Sequence, residues 1–165
     1  MQKRGVDMNR EVEKYAKLME ELHKKARREG REFGFLFCEK EGKLFPSMTT
    51  EGGEHAIEKI VDCKIFEAKP KGYFHTHPSD IGLSLPSSSD VCYALEKNHE
   101  FLCVSGEIPR RVACWKIEKR DIEKLRQLCR KLAEAVTAEE AWEASSEIRE
   151  KMDKYLKEFY SKPIS

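Results

Sequence analysis

Lys71-Gly-Tyr-Phe-His-Thr-His-Pro78, the loop 79–86 and Ser87-Ser-Ser-Asp90 form the stretch on which the reading of this chain turns. The apolar residues leading into His75 predict a strand. A strand's side-chain period of two then sets His75 and His77 on one face, as chelation of a single ion requires. The following loop, rich in Pro, Ser and Gly, is where chemistry is expected. Asp90 to Lys97 reads as a helix through Val91, Ala94 and Leu95. Ser87-x-x-Asp90 is also a helix N-terminal signature, with Ser87 capping and Asp90 favouring the positive end. Capping and metal binding are compatible roles for neighbouring residues. Two imidazoles and one carboxylate make a three-ligand set for zinc that leaves the fourth position to water. A structural zinc needs a fourth protein ligand, and Cys92, two helical positions beyond Asp90, lies about 200° round the helix from it.

Upstream, Val12, Tyr15, Met19, Leu22 and Ala26 recur at steps of three and four, predicting one amphipathic helix that ends near Gly30. Glu32 to Cys38 and Lys43 to Pro46 flank a Glu/Gly turn and predict a hairpin. His55 to Val61 reads as a short helix and Lys64 to Ala68 as a strand. Downstream, 101–106 and 111–117 read as two strands joined by the turn Glu107-Ile-Pro-Arg110. The order is mixed α/β, and residues 1–118 form the expected core domain. Beyond Lys119, Leu125, Leu128, Leu132 and Ala135 mark one helix. Thr137 with Glu140 opens a second, whose stripe is Ile148, Met152, Tyr155 and Phe159. Residues 119–165 are therefore expected to be a C-terminal helical hairpin, packed on the core or available for homo- or hetero-oligomer contacts.

The 165 residues carry 31 Lys+Arg against 30 Asp+Glu, so the balance gives no support to a nucleic-acid partner. No secretory signal or membrane-spanning run is present, and a soluble cytoplasmic protein is expected. The six cysteines, at 38, 63, 92, 103, 114 and 129, contain no C-x-x-C pair and are expected to be mostly reduced core residues. His23, His55 and His99 lie outside the pattern and are given no role.

His75-Thr-His-Pro78 followed by Ser87-x-x-Asp90 resembles the signature of the JAMM (MPN-plus) zinc metalloprotease family, and the order of elements from about residue 10 to 118 is similar to that family's fold. The resemblance implies a cytidine-deaminase-like mixed sheet flanked by helices. It implies Zn2+ on His75, His77 and Asp90, with Ser87 as hydrogen-bond donor to the oxyanion. The loop after His77 is slightly longer than the family's, so Ser84 and Ser88 stand as alternatives to Ser87. The family's catalytic Glu lies on the first core strand, where Glu32 is the best match; Glu39 and Glu41 read as turn residues and Glu29 as a helix end. The implied activity is hydrolysis of amide or isopeptide bonds, with a ubiquitin-like protein or a Gly-Gly-tailed sulfur carrier as substrate and partner. Two alternatives remain: a non-catalytic MPN scaffold, whose members generally lack the metal ligands, and a RadC-like protein of DNA metabolism.

Overall fold

A computed structural model of the protein describes residues 7–51 and 63–165; the expected helix at 55–61 lies outside them. The chain runs α1 (Met8–Glu13), α2 (Ala16–Glu29), β1 (Phe33–Lys40), β2 (Lys43–Pro46), β3 (Thr50–Glu51), a 3-10 turn (Cys63–Phe66), β4 (Lys69–Thr76), α3 (Ser88–Glu96), β5 (Phe101–Glu107), β6 (Arg110–Ile117), α4 (Ile122–Glu134), α5 (Ala138–Tyr155) and β7 (Leu156–Pro163). The fold is mixed α/β. One sheet is ordered β2-β1-β4-β5-β6-β7, with β3 also paired to β1. β4 and β5 are parallel, and the other pairings are antiparallel.

Alternation along the strands divides the core into two layers. Phe33, Phe35 and Phe37 of β1, Phe74 of β4 and Phe101 of β5 pack on Val12, Met19, Leu22 and Ala26 of the N-terminal helices. The intervening residues Leu36, Tyr73, Leu102, Val104, Ala113 and Trp115 face the other way and pack on Val91 and Leu95 of α3, Leu125 and Leu128 of α4, and Ile148 of α5. The alternation thereby fixes which side of β4 carries His75: the side covered by α3. Burial of this many large side chains, each worth about 1.5–3 kcal/mol, sets the positions of α3 and β4 relative to each other.

Several expectations are corrected. The N-terminal stripe is buried, but its helix breaks at Lys14 and Tyr15. Tyr15 leaves helical geometry (φ −110°, ψ 11°), and its hydroxyl donates to Leu44 O at 2.8 Å. α2 ends as expected, with Gly30 at φ 65° in the left-handed region that lets its N–H reach Ala26 O. Residues 63–66 form a 3-10 turn rather than a strand: Cys63 is bonded to Cys38, and Glu67 adopts φ 56°. All six cysteines are disulfide-bonded, as Cys38–Cys63, Cys92–Cys129 and Cys103–Cys114, so the expectation of reduced thiols fails. The pairs come together only once the fold is made; Cys103 and Cys114 are opposite each other in the β5–β6 register.

The end of the expected helical hairpin differs as well. α4 and α5 form, but the chain becomes extended at Leu156, and β7 pairs with β6 from Leu156 opposite Ile117 to Pro163 opposite Arg111. A helix would have put Tyr155 and Phe159 on one face. Instead Tyr155 lies in the layer with α3, while Phe159 packs in the opposite layer. Pairing along β6 satisfies the backbone groups that this strand would otherwise leave open and moves the sheet edge out to β7, a long-range gain that local helical periodicity does not register. Residues 119–165 thus contribute to the same sheet and core as the rest. Among the described residues, no helix is long and apolar enough to cross a membrane.

Candidate metal centre

Tyr73 and His75 share the α3-facing side of β4. His77 continues the line beyond the strand, its N–H donating to Ser105 O at 2.8 Å. Facing them is the first turn of α3. Ser87 is its N-cap, and a reciprocal capping box forms: Asp90 N–H donates to Ser87 Oγ at 3.1 Å, and Ser87 N–H donates to Asp90 Oδ2 at 2.8 Å. The cap fixes the Asp90 carboxylate at the mouth of β4. Its Oδ1 lies 2.8 Å from His75 Nδ1, and its Oδ2 lies 3.1 Å from His77 Nε2.

His75, His77 and Asp90 each offer a donor atom, all within 4.8 Å of one another, and the three could hold a metal ion. His77 is pre-oriented: Nδ1–H donates to Leu83 O at 2.8 Å, which turns Nε2 toward Asp90. Tyr73, two residues before His75, donates its hydroxyl to Asp90 Oδ1 at 2.8 Å. The sequence reading missed Tyr73, although the same period of two that paired the histidines also aligns Tyr73 with them. Cys92, the nearest thiol in sequence, is disulfide-bonded to Cys129 and is no fourth ligand.

Glu32 is buried and immediately precedes β1. Because Gly34 pairs with His75 in the β1–β4 register, Glu32 sits at the open end of β4, and its Oε2 lies 2.8 Å from His75 Nε2. His75 is therefore held between two carboxylates. Burial disfavours its charged form, but Asp90 and Glu32 outweigh that effect and raise its pKa to about 10. Asp90 is also fully desolvated, yet His75 and His77 hold its carboxyl well below the usual range. Burial and the neighbouring Asp90 charge raise Tyr73 well above an ordinary phenol, so it remains a donor. The cluster thus sets two buried carboxylates around a positively charged His75, a place where a cation could take over from the proton.

Of the candidate serines, Ser84 is fully buried; its hydroxyl donates to Ile108 O at 3.3 Å and accepts from Arg111 Nε at 3.0 Å. Ser88 is paired with Ser145 Oγ at 2.9 Å. Ser87 alone of the three lines the groove that contains His77. Two arginines that sequence reading did not single out hold the loop between His77 and Ser87. Arg27 of α2 donates to Pro78 O at 2.8 Å and Asp80 Oδ1 at 2.7 Å, and Arg111 of β6 donates to Ser84 O at 3.1 Å. A Cβ on Gly82 would stand 2.5 Å from His77 O, so the turn closes there only with glycine.

Glu39 accepts from Gly42 N in the β1–β2 turn, Glu41 occupies the same turn, and Glu29 ends α2; none reaches the cluster. His23 and His99 are buried elsewhere, and His55 lies outside the described residues. Comparison with protein families finds no match for the chain, and comparison with curated proteins finds none either.

Proposed function

We propose that this protein is a zinc-dependent hydrolase of amide or isopeptide bonds of the JAMM type that its sequence resembles. The observation that carries the reading is the convergence of His75, His77 and Asp90 with a fourth acidic group, Glu32, hydrogen-bonded to the far nitrogen of His75. Two imidazoles and one carboxylate suit Zn2+. The fit is supported by a buried Asp90 oriented by Tyr73 and Ser87 and by a His77 already turned toward it. When bound, zinc supplies a Lewis acid and an acidified water.

The chain's own groups do the remaining work. Glu32 takes the proton of the attacking water and returns it to the departing amine. Asp90 keeps its charge against the cost of burial through the donors around it, His75, His77, Tyr73 and Ser87 N–H. Ser87 accepts from Asp90 N–H, and its own hydroxyl hydrogen is directed to the carbonyl oxygen as that atom gains charge, a contribution of about 3 kcal/mol for one donor. The arginine-held loop brings Ser87 and His77 to the site before substrate arrives, reducing the ordering cost of binding. The substrate class the reading implies is a ubiquitin-like or sulfur-carrier protein whose Gly-Gly tail is joined to an amine.

The test is the zinc content of the purified protein against a His77→Ala, Asp90→Ala double variant, with cleavage of a Gly-Gly-tailed ubiquitin-like fusion measured in parallel. One zinc per chain, lost together with cleavage in the variant, is the expected result. Zinc without cleavage removes the assigned substrate, and no zinc removes the reading altogether.

A further inference from the structure

A groove of about 370 Å³ begins at the candidate metal centre and runs away from it along α5. Its inner end is His77 and Ser87, its floor is Trp115 and Leu156, and its walls are Leu85 of the site loop and Met152 of α5. Leu85 is 46% exposed, and the adjacent Leu83 of the same wall is 52% exposed. Both apolar side chains are fixed in water by a loop tied down through Arg27 and Arg111, which marks a surface built to be covered. Arg149 and Asp153 stand at the rim with opposite charges. The rim therefore selects no sign of charge, and discrimination falls to the apolar floor.

We infer that this groove is a specificity subsite that takes one aliphatic side chain of the polypeptide whose bond is presented to the metal centre. The inference rests on the proposed hydrolase reading, and continuity with the site identifies the occupant: a chain placed against His77 and Ser87 extends directly into the groove. A Gly-Gly tail has no side chain to fill it, so the side chain comes from the residue preceding the glycines. Met152 can conform to a branched aliphatic group, and a Leu in place of Ala buries roughly three further methylene equivalents there, enough for about tenfold in affinity when part of that surface stays wet.

The test reads binding independently of catalysis. The chain has two tryptophans, so in a Trp142→Phe background the emission of Trp115 reports the groove alone. The zinc-loaded protein is titrated with acetyl-Ala-Xaa-Gly-Gly peptides, Xaa being Leu, Ala or Asp, while cleavage of a Gly-Gly fusion is followed separately. The Leu peptide is expected to bind about tenfold tighter than the Ala peptide, and the Asp peptide more weakly still. Met152→Asp should erase that order, as should Leu85→Ser at an exposed loop position that does not endanger folding. Equal affinities for Leu and Ala, no binding of any peptide, or a Leu preference that survives both substitutions would overturn the subsite. Cleavage without a Leu preference ends the subsite and leaves the hydrolase; a Leu preference without cleavage keeps the groove as a peptide-binding subsite and removes the assigned substrate.

Discussion

His75 and His23 lie on opposite sides of the same sheet, and each is bonded to a carboxylate within 2.8 Å, yet they are unlike in every respect that matters to chemistry. His23 is sealed: Nδ1 meets Ser105 Oγ at 2.8 Å and Nε2 meets Glu107 Oε2 at 2.6 Å, with no part of the ring exposed. Burial lowers its pKa. Glu107 opposes that effect, but Arg110 and Arg27 crowd the same carboxylate and add to the lowering. His75 has two carboxylates, one of them Asp90, whose only ion-pair partners among the described residues are histidines. It also has a second imidazole beside it, with ring centroids 5.0 Å apart. A Ser–His–Glu sequence of contacts is thus insufficient for a site. What distinguishes the candidate centre is a carboxylate, Asp90, whose ion-pair partners among the described residues are histidines, with a second donor ring and an open groove beside it.

The strongest way to break this comparison is to remove the group that gathers the cluster. Asp90→Ala should take bound zinc from one per chain to none, measured by elemental analysis after dialysis. It should also lower stability by about 3 kcal/mol in urea unfolding, because Tyr73 and Ser87 N–H lose a buried charged acceptor. A variant that keeps its zinc shows that the metal is held elsewhere. Glu32→Gln is next in size. It leaves the three donors intact, so zinc content should be unchanged while cleavage falls by about 10²- to 10⁴-fold. Equal activity would make Glu32 a structural neighbour of His75 and nothing more. Tyr73→Phe sharpens the same contrast from behind the ligands. Losing one hydrogen bond to Asp90 should weaken zinc binding by about 10- to 100-fold in a chelator competition, with little change in the fold. Unchanged affinity would show that Asp90 needs no help beyond the capping box.

The juxtaposition of His75, His77 and Asp90 was legible because the three are brought together by short-range rules. The period of two on β4 aligns His75 with His77, and the helix cap at Ser87 places Asp90 opposite them. Glu32 was legible less directly, through resemblance, and its 43-residue separation from His75 is closed only by the β1–β4 register. Features decided by distant contacts were hidden. Arg27 reaches Asp80 and Arg111 reaches Ser84 across the fold, and nothing near either arginine in sequence signals it. The disulfides span separations of 25, 37 and 11 residues with no motif to pair them. At 156–163 the local pattern read as the continuation of a helix, and pairing with the distant β6 decided the outcome instead.

The smallest expected effect tests the sealed histidine through pH. In chelator-treated protein, His75 has a raised pKa. Its contribution to stability is complete below the unfolded histidine value near 6.5 and is lost as pH rises toward about 10. His23 has a lowered pKa, so its contribution is complete above about 6.5 and declines as pH falls below that value, where the unfolded chain takes up the proton more readily. His99, held near pKa 4 by burial and the nearby Lys97, declines over the same acid range. The stability of the metal-free protein should therefore fall on both sides of near-neutral pH, and zinc should flatten the alkaline side by replacing the His75 proton. His23→Leu should cost about 2 kcal/mol by leaving the buried Ser105 hydroxyl without its partner, while Glu107 keeps Arg110 and Arg27. It should reduce the acid-side slope without abolishing it, since His99 remains, and leave both the alkaline side and the zinc content as they were. If His23→Leu instead lost zinc or altered the alkaline side, the two histidines would be coupled through the sheet, and the division between a sealed pair and an open centre would fail.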